Sequence, residues 1–146
     1  MDRYTICRAI DGLDGVTVVL MGDLANSGTG RSLCYFLAKY SGVKLCLVSQ
    51  KELAMRDDIV DCLGRNRAGF KLIHSPGAEL EEALRKAFRI DRKMLDLMGP
   101  RVIIMPLPRI DSITPDVDKD PRAHYFQQIS NGLYIQIALL QMLVAR

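Results

Sequence analysis

The sequence predicts an α/β fold in three layers, with a mostly parallel sheet of about four strands flanked by helices. Short apolar runs rich in β-branched residues alternate along the chain with segments of helical periodicity. Such runs are typical of parallel strands, which are covered on both faces. The length of 146 residues is enough for one domain and too short for two ordinary ones. Residues 1–146 are therefore expected to form a single, Rossmann-like domain.

The strands are predicted from four short apolar runs. They are "VTVVLMGD" at residues 16–23, "VKLCLVS" at 43–49, "GFKLIHS" at 69–75 and "RVIIMP" at 101–106. The first run is expected to be a strand buried on both faces. Parallel strands must be joined by crossovers, so helices are expected between them.

Helical periodicity marks the intervening segments. It begins near the amino terminus and recurs at Arg31–Tyr40, Asp57–Leu63, Glu79–Ala87, Asp91–Met98 and Arg122–Val144. Gly42 is a candidate C-cap for the second helix. In the last segment, apolar residues recur at helical spacing from Ile129 to Val144. They either pack back on their own domain or form an exposed association surface.

Charge and cysteine usage exclude several classes of function. The net charge is only +3 and the basic residues do not cluster, so no nucleic-acid partner is expected. No segment has the apolar length of a membrane span or the pattern of a signal peptide, so no membrane partner is expected. The four cysteines form no CxxC pair, which favours buried thiols of a reduced, cytoplasmic protein over a zinc site.

The loop after the first predicted strand, residues 24–30, is the first candidate site. Ligands of open parallel sheets lie beyond the carboxyl ends of the strands, and a Gly-rich turn entering a helix presents N–H groups to an anion. Residues 30–32 stand where a P-loop has Gly-Lys-Ser, but Ala25 replaces the first glycine of that motif. A turn capped by Ser27 or Thr29 is therefore favoured over a nucleotide site.

The loop "PLPR" after the last predicted strand is the second candidate site. Pro106 and Pro108 fix φ at two positions and restrict the residue before each. A cis bond between Leu107 and Pro108 would aim the Leu107 carbonyl out of the loop, as a fixed acceptor for a substrate amide. Arg109 would either bind a carboxylate or phosphate or brace the loop against Asp111, and the spacing leaves both roles open.

Neither a metal site nor a catalytic histidine is predicted. The acidic run at residues 116–120 has Pro121 and Gln127 where an EF-hand loop needs glycine and glutamate. It is expected to be a solvated acidic turn before a helix, where negative charge is favourable. His74 ends a predicted strand and His124 begins a helix, and both are interpreted as structural.

Three stretches together resemble a known family. They are "DRYTICRAIDGLDG" at the start, "MGDL" with the following threonine and "RSL", and a long block from "PLPRID" through "PDVDKDPRA" and "YFQQ" to "NGLY". This pattern is similar to the second half of the aspartate carbamoyltransferase catalytic chain, its aspartate/ornithine-binding domain. The match follows the chain in order and is densest in its last third.

The resemblance implies a transferase of pyrimidine biosynthesis. Members of the family transfer a carbamoyl group from carbamoyl phosphate to the amine of aspartate, and they work as trimers with shared active sites. No cofactor is expected. The implied partner is a second copy in a homo-oligomer, such as a trimer, or a complete carbamoyltransferase chain.

The family's substrate contacts carry over to individual positions. In the family, backbone carbonyls at the positions of Leu107 and Pro108 hold the carbamoyl amine, and Pro106 and Arg109 belong to the same loop. Thr29 matches a threonine of the aspartate site. The resemblance therefore implies that these five residues bind substrate.

Two cationic contacts with aspartate are missing from the sequence. Gly28 stands where the family has an arginine that grips a carboxylate, and a second clamp on an additional strand has no counterpart. The carbamoyl-phosphate domain also has no counterpart, so no catalytic residue is assigned. Each charged hydrogen bond contributes about 1.5–3 kcal/mol, so weak binding of aspartate is expected. The runs at residues 17–21 and 102–106 are expected to pair across the missing strand.

The expected function is therefore an aspartate carbamoyltransferase-like amino-acid-binding domain that is inactive or weakly active alone. Two alternatives stay open. One is a non-catalytic assembly or regulatory module that docks on a complete carbamoyltransferase. The other is a binder of a small phosphate ligand.

Overall fold

The computed structural model describes residues 2–10, 12–66, 68–75, 89–105 and 112–144. The chain divides into two compact units. The sheet unit is Gly12–Glu82, and the terminal unit combines Met1–Asp11 with Ala83–Arg146. The described strands all belong to the sheet unit, whereas the two ends of the chain meet in the terminal unit.

The elements alternate in the way that the sequence predicts. In chain order they are α1 (Asp2–Ala9), β1 (Thr17–Met21), α2 (Gly28–Leu37), β2 (Lys44–Gln50), α3 (Asp57–Arg65), β3 (Gly69–Ser75), α4 (Arg92–Leu97) and α5 (Tyr125–Val144). Short 3₁₀ helices follow β2 at Lys51–Leu53 and precede α5 at Pro115–Lys119. The α/β class with a parallel sheet flanked by helices is confirmed. The predicted helix at Glu79–Ala87 lies outside the described residues.

The sheet unit contains a parallel sheet in the order β1-β2-β3. Its register aligns Val19 with Cys46 and Cys46 with Lys71. β2 is the central strand, and its Leu45 and Leu47 are each 1% exposed. Further apolar residues buried in this unit come from α2 and α3, namely Leu33, Cys34, Leu37, Ile59 and Leu63. Because the strands are parallel, the loops that follow them leave the sheet on the same side, at the carboxyl ends of the strands.

The expectation that the first strand is buried on both faces is wrong. In β1, Val19 is 55% exposed and Met21 is 37% exposed, whereas Val18 and Leu20 are half-buried. Successive side chains of a strand point to opposite faces of the sheet, so the face of β1 that carries Thr17, Val19 and Met21 is the less covered one. A short apolar run has the same composition whether one or both faces are covered, so the pattern cannot distinguish the two cases.

The predicted fourth strand is also wrong for the residues that can be described, whereas its pairing with the first strand would join the two units and stays a prediction. The described sheet has three strands, and Ile104 instead forms an isolated parallel bridge with Ala123. The Ile104 N–H donates to the Arg122 carbonyl at 2.8 Å, and its carbonyl accepts from the His124 N–H at 3.0 Å. These bonds satisfy the backbone of Ile104 within the terminal unit, so no sheet partner is needed.

The terminal unit has a small apolar core of its own. Its buried members are Leu95, Ile104, Ile113, Val117, Ala123 and Tyr125, with Ile90 and Met98 packed against them. A second parallel bridge joins Ile90 to Ile113. The apolar run that was predicted as the fourth strand is therefore irregular over its described residues, and its Ile104 belongs to this core.

The helices α1 and α5 contact each other through polar side chains. The Gln128 side-chain amide donates to Asp2 Oδ1 at 2.7 Å, and the Asn131 amide donates to Thr5 Oγ1 at 3.0 Å. Gln128 and Asn131 are 3% and 6% exposed.

No helix within the described ranges is long and apolar enough to cross a membrane.

Two further expectations need correction. Gly42 has φ +68°, but α2 ends at Leu37 with Ala38 as its C-cap, so the glycine shapes the turn that leads into β2. Among the cysteines, Cys34 is buried as predicted, whereas Cys7 is exposed. A cysteine on a short helix is buried only if that face packs on a neighbour, which the sequence alone does not reveal.

Candidate functional site

The loop between β1 and α2 leaves the sheet through a hydrogen-bonded turn. Gly22 has φ +115°, a conformation that residues with a side chain rarely adopt, and its N–H donates to the Val48 carbonyl at 3.0 Å. The Asp23 carboxylate accepts from the Asn26 backbone N–H at 3.1 Å and from its side-chain amide at 2.9 Å. These hydrogen bonds fix the conformation of the loop before α2 begins.

Ser27 is the N-cap of α2, and Thr29 lies in its first turn. The Ser27 hydroxyl oxygen accepts from the Gly30 N–H at 3.0 Å, which decides between the two residues that the sequence offered as the cap. Thr29 is exposed, with its hydroxyl 3.4 Å from that of Ser27. The first N–H groups of a helix have no acceptor within it, so an anion can approach them beside Thr29.

The same loop does not have the open cradle of backbone amides that a P-loop provides. The N–H groups of Leu24 and Ala25 donate to the Leu53 carbonyl at 3.0 and 3.1 Å. The Gly30 N–H is taken by the Ser27 cap. Because these amides already have protein acceptors, they cannot surround a phosphate.

Two glycines of this turn differ in the space around them. A Cβ atom at Gly30 would lie 2.8 Å from Ser27 Oγ, so a side chain there would displace the cap. A Cβ atom at Gly28 would meet no heavy atom within 4 Å. Gly28 is exposed at the first position of α2, so a Cβ atom there would lie in open space.

A shallow depression of about 460 Å³ opens after β2. Its lining carries both signs of charge, with Lys51 and Arg56 against Glu52, Asp57 and Asp58. Arg56 Nε lies 3.5 Å from Asp58 Oδ1, and both side chains are more than half exposed, so this pair contributes little stability. With no excess of positive charge, the depression does not provide a clamp for a dicarboxylate.

Four of the five predicted site residues lie outside the described residues: Pro106, Leu107, Pro108 and Arg109. The residues described on either side belong to the terminal unit. Before this loop, Ile104 is bridged to Ala123, and after it the Ser112 carbonyl accepts from the Ile90 N–H at 2.8 Å. Of the predicted site residues, the structure places only Thr29.

The acidic run after that loop is folded against the protein. The Asp120 side chain is 4% exposed and forms two contacts with Arg122, from Nε to Oδ1 at 2.8 Å and from Nη2 to Oδ2 at 3.0 Å. These side-chain bonds, and the bond from the Arg122 backbone N–H, hold the pKa of the Asp120 carboxyl well below its usual range. The expectation of a solvated acidic turn is therefore wrong at Asp120, because an arginine two residues later folds back on it.

Arg122 also joins this acidic run to α4. Its Nη1 donates to the carbonyls of Leu95 and Met98, at 2.7 and 3.0 Å. The Tyr125 hydroxyl donates to the Asp118 carboxylate at the start of α5. Sequence reasoning missed this network, although the spacing Asp-x-Arg within a proline-containing turn was a signal for it.

The first two residues of α2 can approach an anion but carry no positive charge. Gly28 and Thr29 offer amide and hydroxyl donors only, whereas the Gly30 N–H is taken by the Ser27 cap. Neutral donors orient an anion, whereas a guanidinium also neutralises it and forms two parallel bonds with a carboxylate. Gly28 and Thr29 therefore provide neutral donors only.

Comparison with known proteins shows which family this chain resembles. Residues 74–143 match the family model described as aspartate/ornithine carbamoyltransferase, Asp/Orn binding domain. The chloroplastic aspartate carbamoyltransferase of Arabidopsis thaliana is 42% identical over 173 residues, covering 99% of this chain and 43% of the relative. The aspartate carbamoyltransferase catalytic subunit of Methanocaldococcus jannaschii is 32% identical and covers 99% of this chain and 54% of the relative.

Solved structures give the same result. The catalytic subunit of M. jannaschii aspartate transcarbamoylase superposes with a TM-score of 0.87 at 32% identity, covering 99% of this chain and 54% of that one. The Trypanosoma cruzi aspartate transcarbamoylase in complex with carbamoyl phosphate and aspartate gives 0.83 at 27% identity, covering 95% and 52%.

The alignments also measure what this chain lacks relative to those proteins. The chain spans about half the length of the curated relatives it matches. The Arabidopsis alignment has 173 positions against 146 residues here, so at least 27 positions of the alignment have no counterpart in this chain. Sequence and structure nevertheless agree over nearly all of its residues. Over nearly all of its length the chain is therefore similar to the aspartate/ornithine-binding half of the aspartate carbamoyltransferase catalytic chain.

Proposed function

We propose that this chain is an aspartate carbamoyltransferase-like amino-acid-binding domain that turns over little or no substrate by itself. The reaction concerned is carbamoyl transfer from carbamoyl phosphate to aspartate in pyrimidine biosynthesis. In it the amine nitrogen of aspartate bonds to the carbamoyl carbon as the bond from that carbon to the phosphate oxygen breaks. Support comes from relatives that carry this name and from a structural neighbour solved with both substrates.

The observation that carries the proposal is the identity and position of Gly28. It stands at the exposed start of α2, immediately before Thr29, where the resemblance expects an arginine. An arginine there would form charged hydrogen bonds with a substrate carboxylate, each contributing about 1.5–3 kcal/mol. Without it, Thr29 and the helix N–H groups bind the carboxylate as neutral donors, and aspartate binds weakly.

Within this proposal the other predicted contacts keep their roles. The carbonyls of Leu107 and Pro108 accept from the carbamoyl amine, while Pro106 and Arg109 hold the same loop. We also propose that residues 1–146 act as one domain and that the protein is a cytoplasmic homo-oligomer. Alignments that cover 99% of the chain support the single domain. The plant relatives are chloroplastic by name, so a fluorescent fusion should be compared in both compartments.

The proposal is tested by restoring the missing charge. The purified chain, supplied with carbamoyl phosphate and aspartate, is expected to form no carbamoyl-aspartate above the uncatalysed background. Calorimetric titration with aspartate is expected to show a weak interaction in the native chain. Gly28→Arg is expected to tighten it by roughly 10- to 100-fold, the equivalent of one charged hydrogen bond. Gly28→Gln adds a long polar side chain without charge and serves as the control.

Two results would contradict the proposal. Robust turnover by the native chain would show that it is a complete catalyst. Equal effects of Gly28→Arg and Gly28→Gln would show that charge at this position is not what the site lacks. The phosphate-binder alternative is tested by titrating the native chain with inorganic phosphate. Binding of phosphate at the α2 turn would favour that alternative, whereas no measurable binding is expected under the proposal.

A further inference from the structure

The predicted carbamoyl-binding loop, residues 106–109, is entered from a residue whose backbone is hydrogen-bonded through both of its polar groups. Two residues before Pro106, the Ile104 N–H donates to the Arg122 carbonyl at 2.8 Å, and the Ile104 carbonyl accepts from the His124 N–H at 3.0 Å. The Ile104 side chain is 5% exposed and belongs to the apolar core of the terminal unit. The chain therefore enters the loop from a fixed point, which Arg122 and His124 provide.

The chain leaves the loop at a second fixed point. The Ser112 carbonyl accepts from the Ile90 N–H at 2.8 Å, and the Thr114 N–H donates to the Ile90 carbonyl at 3.0 Å. Ile113, between these two residues, is 3% exposed. Each end of the loop is thus held by another segment of the chain, one by Ile90 and the other by residues 122–124.

The sequence makes the connection from Ile104 into the loop stiff. Proline fixes φ at positions 106 and 108 and restricts the residue before each, which is Met105 or Leu107. A segment with so few free torsion angles follows the direction of its anchor. The orientation of the Leu107 and Pro108 carbonyls is therefore expected to depend on how firmly Ile104 is held.

Arg122 holds this anchor in place through its side chain. The guanidinium donates to both carboxylate oxygens of Asp120 and to the carbonyls of Leu95 and Met98. The Arg122 side chain is 15% exposed and that of Asp120 is 4% exposed, so water competes little for these bonds. A planar guanidinium directs its donors at several acceptors at once, whereas the ammonium group of lysine is a single point charge. The backbone that holds Ile104 is thereby tied to the end of α4.

We propose that Arg122 is a positioning residue for the carbamoyl-binding loop. Its guanidinium fixes the turn at residues 120–124, and its backbone carbonyl in that turn holds Ile104. Ile104 in turn sets the direction in which the Leu107 and Pro108 carbonyls point. This inference rests on the proposed function, which assigns the carbamoyl amine to those two carbonyls. Arg122 itself does not have to contact the substrate, because it acts through the backbone of Ile104.

The first experiment isolates the carbamoyl amine with two matched ligands. N-carbamoyl-aspartate and N-acetyl-aspartate have the same carboxylates and differ in an amine against a methyl group. In NMR titrations the native chain should bind N-carbamoyl-aspartate roughly 5- to 100-fold more tightly, as expected for two neutral hydrogen bonds. Arg122→Lys keeps the positive charge but cannot reach all the acceptors of the guanidinium. It should bind both ligands with the affinity that the native chain has for N-acetyl-aspartate.

Asn131→Ala is the control for a general loss of stability. Asn131 lies in the same unit, is 6% exposed and donates to Thr5 Oγ1 at 3.0 Å, so this change weakens the contact of α5 with α1 and leaves the anchors of the loop in place. The variant should be less stable in urea and yet keep the native preference for N-carbamoyl-aspartate. If Arg122 only stabilised the fold, Arg122→Lys would behave in the same way.

Hydrogen exchange tests the anchor without any ligand. In Arg122→Lys the Ile104 and His124 amides should exchange roughly 10- to 100-fold faster than in the native chain, the equivalent of one charged hydrogen bond. The Ile90 and Thr114 amides, at the other end of the loop, should change less, because Arg122 takes no part in their hydrogen bonds. If circular dichroism shows Arg122→Lys to be unfolded, Asp120→Asn replaces it in both experiments, with the same expected results.

The possible failures are distinguishable. If the native chain binds the two ligands equally, or binds neither, the predicted contacts of Leu107 and Pro108 are absent, and this inference fails together with that part of the proposed function. If the native chain prefers N-carbamoyl-aspartate and Arg122→Lys keeps that preference, the inference alone is overturned. Unchanged exchange at Ile104 and His124 would also overturn it.

Discussion

Arg122 holds Asp120 through two parallel contacts, from Nε to Oδ1 at 2.8 Å and from Nη2 to Oδ2 at 3.0 Å. The same guanidinium donates to the Leu95 and Met98 carbonyls, so one side chain joins the acidic turn to the end of α4. Asp120 and Arg122 are only two residues apart in the sequence, so their ion pair fixes the local turn. The bonds from Arg122 to the Leu95 and Met98 carbonyls attach this turn to the rest of the terminal unit.

Removing the charge of Asp120 should destabilise the protein. Asp120→Asn keeps the shape of the side chain but replaces a charged acceptor by an amide beside a largely buried guanidinium, which is left without its counter-charge. The melting temperature should fall, and differential scanning fluorimetry would measure it. Asp58→Asn is the control, since Asp58 pairs with Arg56 at 3.5 Å with both side chains more than half exposed. An equal loss in both variants would contradict this account.

The same ion pair should make stability depend on acid. The pKa of Asp120 is lower in the folded protein than in the unfolded chain, so the unfolded state binds the proton first as the pH falls. The contribution is complete above the unfolded pKa of about 3.9 and is lost as the pH falls towards the folded value. Urea unfolding between neutral pH and about pH 3 should show a steeper loss of stability in the native chain than in Asp120→Asn. Parallel curves would refute the assignment.

The two glycines at the start of α2 should differ in their tolerance of alanine. At Gly30 the added Cβ would lie 2.8 Å from Ser27 Oγ, so Gly30→Ala should lose the N-cap, at a cost of about 1 kcal/mol. Gly28→Ala should be neutral or slightly stabilising, because open space surrounds that position and alanine is the better helix former. Ser27→Ala provides the reference for loss of the cap. Chemical denaturation would rank the three variants, and a destabilised Gly28→Ala would be the contrary result.

The thiols should differ widely in reactivity. Burial, followed by the nearby Cys62, raises the pKa of Cys34 to about 11, so almost no thiolate is present at neutral pH. Cys7 is exposed on α1. Brief treatment with iodoacetamide followed by peptide mass spectrometry should find Cys7 alkylated and Cys34 unmodified until denaturant is added. Rapid native labelling of Cys34 would show that α2 and α3 open readily.

The sequence determined the class of the fold and most of its regular elements. Apolar runs and helical periodicity located β1, β2 and β3, and the predicted third strand coincides with Gly69–Ser75. The glycine and serine content of the loop after β1 indicated a capped helix start, which Ser27 provides. The dense pattern in the last third of the chain indicated the family. These features depend on residues that are close together in the sequence or on residue type alone, so they can be inferred without coordinates.

Tertiary structure decided which apolar residues are covered. The run around Ile104 has strand-like composition, but its backbone bonds go to Arg122 and His124, so it forms a bridge within the terminal unit. Val19 looks like a core residue in the sequence and is 55% exposed, and Leu140, whose burial the sequence left open, is 61% exposed. Composition specifies what a side chain prefers, whereas burial depends on which distant segment lies against it. That segment is set by long-range packing, and it leaves most of the large apolar residues of α5 exposed.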